Sequence, residues 1–160
     1  MKKIHIILII FALNTAGLIW WFSDTQVIKR QTKALTECIT TSSSAPQTTK
    51  ALKNQKFIAL LAEDLHCSVQ IKDYSYEFDR DDLAAAHLAL LNYGESSRAE
   101  ASDISLTFNS DDTATVTAYL NLAVTEKGGK SHSESSHAEL IWKETEQNKW
   151  RIQKITLKGQ

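Results

Sequence analysis

The strongest constraint on the fold is a long stretch between residues 114 and 124 in which apolar and polar residues alternate. The apolar side chains occupy every second position: Ala114, Val116, Ala118, Leu120, Leu122 and Val124. Successive side chains of a β-strand point to opposite faces, so this pattern predicts a strand with one apolar and one polar face. The same alternation occurs within residues 104–108, 138–142 and 150–157. The second half of the chain is therefore predicted to form an antiparallel sheet with one buried face.

The turn lengths predict the register of this sheet. A three-residue loop at 110–112 places Leu106 opposite Val116, and it also places Ile104 opposite Ala118. All of these apolar side chains then share one face, whereas a two-residue loop would shift half of them to the other face.

The next turn and the last strand add two further predictions. A three-residue loop at Lys127-Gly128-Gly129 places Val116 opposite Leu140, and Gly129 can supply the left-handed residue that such hairpins favour. In the last strand the apolar positions change parity between Ile152 and Ile155, which predicts a bulge near residues 153–154.

Between residues 25 and 93, the spacing of apolar residues predicts three amphipathic helices, at about residues 25–41, 48–65 and 80–93. Asp79 is the expected N-cap of the third helix, and Gly94 is expected to end it at the C′ position. Between the second and third helices, apolar residues spaced mostly by two predict a short hairpin that turns at Lys72-Asp73.

The N-terminus predicts a membrane anchor. Lys2 and Lys3 precede an apolar stretch over residues 4–22, which is long enough to cross a bilayer as a helix. The expected organisation is a transmembrane signal anchor at 1–23 and one domain at 24–160. Its N-terminus then lies in the cytoplasm and its domain on the outer, periplasmic side of a single-pass inner-membrane protein. A cleaved signal peptide and a buried core helix are the alternatives.

Composition narrows the possible partners. The chain has 18 basic and 19 acidic residues and a formal net charge of −1. A nucleic-acid-binding protein needs an excess of Lys and Arg to neutralise phosphates, so nucleic acid is not an expected partner. The sequence has no Gly-rich phosphate loop, Cys-x-x-Cys pair or nucleophile elbow. No cofactor is therefore expected.

Three segments together resemble a known family. They are Phe78-Asp79-Arg80-Asp81-Asp82-Leu83, Asp111-Asp112-Thr113-Ala114-Thr115-Val116 and Lys149-Trp150-Arg151-Ile152. With the order of elements, they make residues 25–157 resemble the nuclear transport factor 2-like (SnoaL-like) superfamily. This resemblance implies an α+β cone fold in which about three helices pack on a curved antiparallel sheet.

The resemblance implies two classes of function, because the superfamily contains enzymes and non-catalytic binding domains. We favour a non-catalytic interaction or ligand-sensing domain that contacts another envelope protein or forms a homodimer. The predicted inward face of residues 114–124 is wholly apolar, whereas the superfamily's enzymes place polar groups there. The alternative is a small-molecule lyase, isomerase or hydrolase, so catalysis is left open. Its candidate pocket residues are His87, Tyr74, Tyr76, Glu134 and His132.

The remaining candidate sites involve cysteine and histidine. Cys38 and Cys67 could form a disulfide in an oxidising compartment, or they could be two buried thiols. His132 and His137 are five positions apart, which puts their side chains on opposite faces of a strand. No metal site is therefore expected.

Overall fold

The computed structural model describes residues 23–71, 74–147 and 149–159. This part of the chain forms three helices and six strands. In chain order they are α1 (Asp24–Ile39), α2 (Gln47–Leu60), β1 (Leu61–Ile71), β2 (Tyr74–Phe78), α3 (Arg80–Tyr93), β3 (Gly94–Phe108), β4 (Thr113–Glu126), β5 (Ser131–Glu144) and β6 (Trp150–Gly159). The predicted α+β class is confirmed.

The strands form one sheet in the order β2-β1-β6-β5-β4-β3. All neighbouring strands are antiparallel except β1 and β6, which are parallel. Strands β2 and β3 are the two edges. The three helices pack on one face of this sheet, so the sheet has one buried face and one polar outer face.

The core lies between the helices and the sheet. Its largest side chains less than 2% exposed are Trp142, Trp150, Ile28, Leu65, Leu91, Ile152 and Val116. Asp24, at the start of α1, accepts a hydrogen bond from Trp150 Nε1 at 2.9 Å. This bond joins the first helix to the last strand.

Most of the predicted register is confirmed. Val116 pairs with both Leu106 and Leu140, and Gly129 has a positive φ of 83°. The pairing of β5 with β6 shifts between Ile141 and Trp142, which skips Gln153 as expected for a bulge there.

The predicted pairing of Ile104 with Ala118 is wrong. The β3–β4 register shifts between Ser102 and Ser105, so Ile104 lies in an irregular segment and is 41% exposed. Asp103, within this segment, has a φ of 52°. An extra residue in one strand turns the following side chains away from their expected face.

The helix predicted at 48–65 ends too late. Helix α2 ends at Leu60, and Leu61 already pairs with Ile152 in the sheet. Leu61 and Leu65 are both buried and four positions apart, which is a helical spacing, but the β1–β6 register shifts between Leu61 and His66. Because of this register shift, the strand buries two residues at a spacing that is typical of a helix. The spacing of apolar residues in the predicted helix places Leu52 on its inward face, but Leu52 is 50% exposed.

The predicted N-terminus of α3 is confirmed, but its predicted C-terminal glycine cap is wrong. Asp79 is the N-cap, because its Oδ1 accepts a hydrogen bond from the Asp82 backbone N–H at 2.8 Å. Gly94 does not take a left-handed C′ conformation; its φ is −67° and it begins β3. A Cβ at Gly94 would lie 2.8 Å from the Leu90 carbonyl oxygen, so close approach requires glycine there.

Two sequence predictions fall outside the described residues. These are the membrane anchor at residues 4–22 and the turn at Lys72-Asp73. Within residues 23–159, as far as the structure describes them, no helix has the length and apolar character needed to cross a membrane.

Candidate functional site

His87 is a buried titratable group at the place where the three helices meet. It lies on α3 and is 5% exposed. Its Nδ1 is 2.8 Å from Asn54 Oδ1 on α2, and its Nε2 is 3.2 Å from the backbone carbonyl oxygen of Cys38 on α1. The ring also stacks on Phe57, with centroids 4.1 Å apart. One imidazole therefore connects all three helices.

The His87 contact is part of a larger arrangement at the C-terminus of α1. The last carbonyl groups of a helix have no hydrogen-bond donors within the helix. In α1 these donors are side chains from α2, α3 and β3. Lys53 Nζ donates to the carbonyl oxygens of Glu37, at 3.0 Å, and of Thr40. Ser97 Oγ donates to the carbonyl oxygen of Ile39 at 2.5 Å. With His87 on Cys38, each carbonyl from residue 37 to residue 40 has a side-chain partner.

The environment of His87 favours the neutral imidazole. Burial lowers the pKa of His87 below its ordinary value, the contact with the Cys38 carbonyl opposes this shift, and the charge of Lys53 adds to it. A neutral ring has one N–H. Since the Cys38 carbonyl can only accept, Nε2 carries the hydrogen. Nδ1 then accepts, which requires the Asn54 amide to turn its NH₂ group toward the ring.

This geometry leaves His87 poorly placed for acid–base catalysis. A general base needs a free lone pair within reach of a substrate proton. Both ring nitrogens of His87 already contact groups of the chain, and the ring face is covered by Phe57. The arrangement stabilises the packing of three helices.

The other candidate pocket residues have partners away from His87. Tyr74 and Tyr76 stack on each other on the edge strand β2, with centroids 6.5 Å apart, and are 67% and 50% exposed. His132 lies 3.3 Å from the carboxylate of Glu126 at the β4–β5 turn. Among the described contacts of His87, none involves these three candidate side chains.

Glu134 also has separate surroundings. It lies on β5 opposite Leu122 of β4 and is exposed. Its Oε1 is 3.5 Å from the position that a Cβ on Gly159 would occupy. Glu134 therefore lies beside the end of β6, whereas His87 contacts α1 and α2. The candidate residues do not form one acid–base group.

Cys38 and Cys67 are both buried free thiols in the structure. Burial raises the pKa of the Cys38 thiol, although Lys53 and Lys56 partly oppose this shift. Burial raises the pKa of Cys67 to about 11. The reactive form of cysteine is the thiolate, so neither side chain is prepared to act as a nucleophile near neutral pH.

A surface cleft of about 710 Å³ was not predicted from the sequence. It lies between the end of α2, the start of β1 and the β5–β6 turn. The charged side chains that line it have both signs: Arg80, Lys143, Lys149, Arg151, Glu63, Asp64, Glu144 and Glu146. They come from distant parts of the chain, so no local sequence signal could have grouped them.

Asp64, one of the carboxylates that line this cleft, is not suited to act as a general acid. A hydrogen bond from Gln153 lowers the pKa of the Asp64 carboxyl, which keeps it ionised. A catalytic acid near neutral pH needs a raised pKa instead. Across the residues that the structure describes, no three His, Cys, Asp or Glu side chains are arranged to hold a metal ion.

Comparison with known proteins gives the fold. No protein-family profile matches the chain, and no curated protein matches it either. Solved structures do match. A proposed scytalone dehydratase from Novosphingobium aromaticivorans is 13% identical, with a TM-score of 0.68 and coverage of 86% of this chain and 84% of that one.

Two other solved structures agree with this likeness. A proposed dehydratase of the NTF2-like family from Streptomyces avermitilis has a TM-score of 0.66, is 13% identical and covers 86% of this chain and 97% of its own. An NTF2-like protein with a cystatin-like fold from Novosphingobium aromaticivorans has a TM-score of 0.61, is 16% identical and covers 92% and 88%. The chain therefore has the nuclear transport factor 2-like fold that the sequence resemblance implied.

Proposed function

We propose that this domain is a non-catalytic interaction or ligand-sensing module. The observation that carries the proposal is the environment of His87, the one buried histidine among the described residues. Both of its ring nitrogens lie within hydrogen-bond distance of groups on the other two helices. The imidazole therefore joins helices and has no nitrogen free for proton transfer. Among the described residues no second buried histidine is available for proton transfer, so we expect the domain to act through its surface.

The packing of the interior supports the same proposal. Trp142 and Trp150 fill the space between the helices and the sheet, and both are at most 1% exposed. The inward side chains at the start of β4, such as Ala114 and Val116, are apolar and buried. Acid–base chemistry requires titratable groups that converge on an open pocket. The buried region beneath these helices offers packing contacts instead.

The similar solved structures add support to the enzyme alternative, whose candidate pocket lies around His87 and the tyrosines. Two of the similar structures are proposed dehydratases, which favours a small-molecule lyase, isomerase or hydrolase as the second candidate. Fold likeness alone is an associational argument. The alternative requires His87 to release one of its two contacts and meet a polar partner such as Tyr74 or Glu134, which have other surroundings here.

In-cell photo-cross-linking tests the proposal. A photoreactive phenylalanine analogue would replace Tyr93, which is 76% exposed on α3, or Tyr119, which is 44% exposed on the outer sheet face. Buried Leu91 is the control position. The proposal expects a reproducible adduct with one envelope protein from an exposed position, and the same adduct in a His87→Asn background. The enzyme alternative would be favoured by two results together. Neither exposed position gives an adduct, and the His87→Asn protein, present at its normal level, fails to complement a deletion strain.

The location of the domain belongs to the same proposal. Residues 4–22 are proposed to anchor the chain in the inner membrane, with the N-terminus inside and residues 24–160 on the periplasmic side. The lysine pair and the length of the apolar stretch support this. Alkaline extraction of membranes and N-terminal sequencing test it. The anchor predicts a chain that stays in the membrane pellet and begins at its original N-terminus, whereas a mature start near Leu18 or Thr25 contradicts it.

A further inference from the structure

The two edges of the sheet differ in how they are protected against strand addition. Edge strands expose unpaired backbone groups, and proteins usually blunt them with bulges, charges or covering segments. At edge β3, Thr41 forms an isolated bridge to Ser97. The strand also carries the Arg98–Glu100 ion pair and a register shift around Asp103, where φ is 52°. All three features hinder a further strand at β3.

Edge β2 has no isolated bridge, ion pair or register shift among its residues, and Glu77 is its one charged residue. Its sequence, Tyr-Ser-Tyr-Glu-Phe, contains no proline or lysine, and its pairing with β1 is regular from Tyr74 to Phe78. Tyr74, Tyr76 and Phe78 share a face with Cys67, which is buried. The helices nevertheless leave both tyrosines at least half exposed. The strand thus presents a regular hydrogen-bonding edge next to an exposed aromatic surface.

From this contrast, we infer that β2 is the docking edge for a second copy of the chain. The two β2 strands pair antiparallel about a two-fold axis at Tyr76, and the two sheets join at this edge. Two-fold interfaces are self-complementary, so each residue contacts the residue at its symmetry-related position. The β2 pairing involves neither His87 nor a pocket, so it is expected whether the domain is an interaction module or an enzyme.

The sequence of β2 is self-complementary in this register. Tyr76 faces its own copy, and Tyr74 faces Phe78 of the other copy. Aromatic cross-strand pairs of this kind stabilise antiparallel sheets. Glu77 faces Ser75 of the other copy, so the two Glu77 carboxylates are not directly opposed and do not repel each other across the pair. A partner of different sequence would have to supply the same pattern, whereas a second copy has it already.

Disulfide trapping with full-length chains in detergent micelles tests the register. Directly opposed residues on antiparallel strands have Cα atoms about 4.5–5.5 Å apart, which is within disulfide range. A mixture of Ser75→Cys and Glu77→Cys chains should therefore give an oxidised dimer. Ser75→Cys alone should not, because its two copies are about 7–8 Å apart across the diagonal. The wild-type chain controls for Cys38 and Cys67, which are buried.

Sedimentation of the full-length chain in micelles supplies the second readout. The wild type should be a dimer, Tyr76→Lys should be a monomer because two ammonium groups meet at the axis, and Tyr93→Lys should stay a dimer. Thermal unfolding checks that each variant is folded. A monomeric wild type, equal cross-linking by Ser75→Cys alone, or no excess cross-linking in the mixture would overturn the inference.

Discussion

His87 Nε2 lies 3.2 Å from the backbone carbonyl oxygen of Cys38, so a side chain of α3 contacts the last turn of α1. Replacing His87 with alanine removes this hydrogen bond and the one to Asn54, and it leaves a gap beside Phe57. We expect His87→Ala to lower the free energy of unfolding by about 2–4 kcal/mol. Urea titration of the full-length chain measures it. His137→Ala, at an exposed position on the outer sheet face, is the matched control and should change stability little.

Replacing each of the two buried core tryptophans with phenylalanine should lower stability by different amounts. Trp150 Nε1 donates to Asp24 at 2.9 Å, whereas Trp142 Nε1 is buried without a partner among the described residues. Losing the Trp150 bond should cost about 1.5–3 kcal/mol, because its acceptor is a carboxylate. Trp142→Phe removes an unsatisfied N–H as well as ring volume, so its cost should be smaller. Thermal unfolding of both variants checks the order, and a larger loss for Trp142→Phe would contradict it.

Gly94→Ala should destabilise the start of β3. The added Cβ would lie 2.8 Å from the Leu90 carbonyl oxygen, so the junction with α3 must shift, at a cost of about 1–3 kcal/mol. Gly159→Ala is the matched control, because its Cβ would lie 3.5 Å from its nearest neighbours, an ordinary contact. Chemical denaturation compares the two. Equal stability of both variants would show that the approach at Gly94 is not a constraint.

The lowered pKa of His87 makes stability depend on pH in a defined direction. Its ordinary value, which applies to the unfolded chain, is 6.5. Below that value the unfolded state binds a proton more readily than the folded state does, so stability falls as pH falls. The loss begins near pH 6.5 and ends once pH is below the folded pKa. Denaturant titrations between pH 7.5 and 5 should show it for the wild type, and His87→Asn should lose this component. An unchanged slope in that variant would assign the effect to other groups.

The sequence contained enough information for most of the sheet but not for the site. Turn lengths determined the pairing of Val116 with Leu106 and Leu140, because one-residue slips would expose every apolar side chain. The bulge around Asp103 had no such signal, and the irregular strand from Leu61 to Leu65 had the spacing of a helix. The partners of His87 could not be found because Asn54 and Cys38 are 33 and 49 positions away. Only packing of the three helices brings them together.

Nitrogen-15 NMR of the imidazole of His87 distinguishes a residue that joins helices from one that transfers protons. Full-length chain with labelled histidine would be titrated in micelles, with His87→Asn used to assign the signal. We expect a neutral ring at pH 7 with its hydrogen on Nε2, and a pKa of His87 below 6.5. A signal that titrates at or above 6.5, or a neutral ring with its hydrogen on Nδ1, would show that His87 does not join the helices in this way.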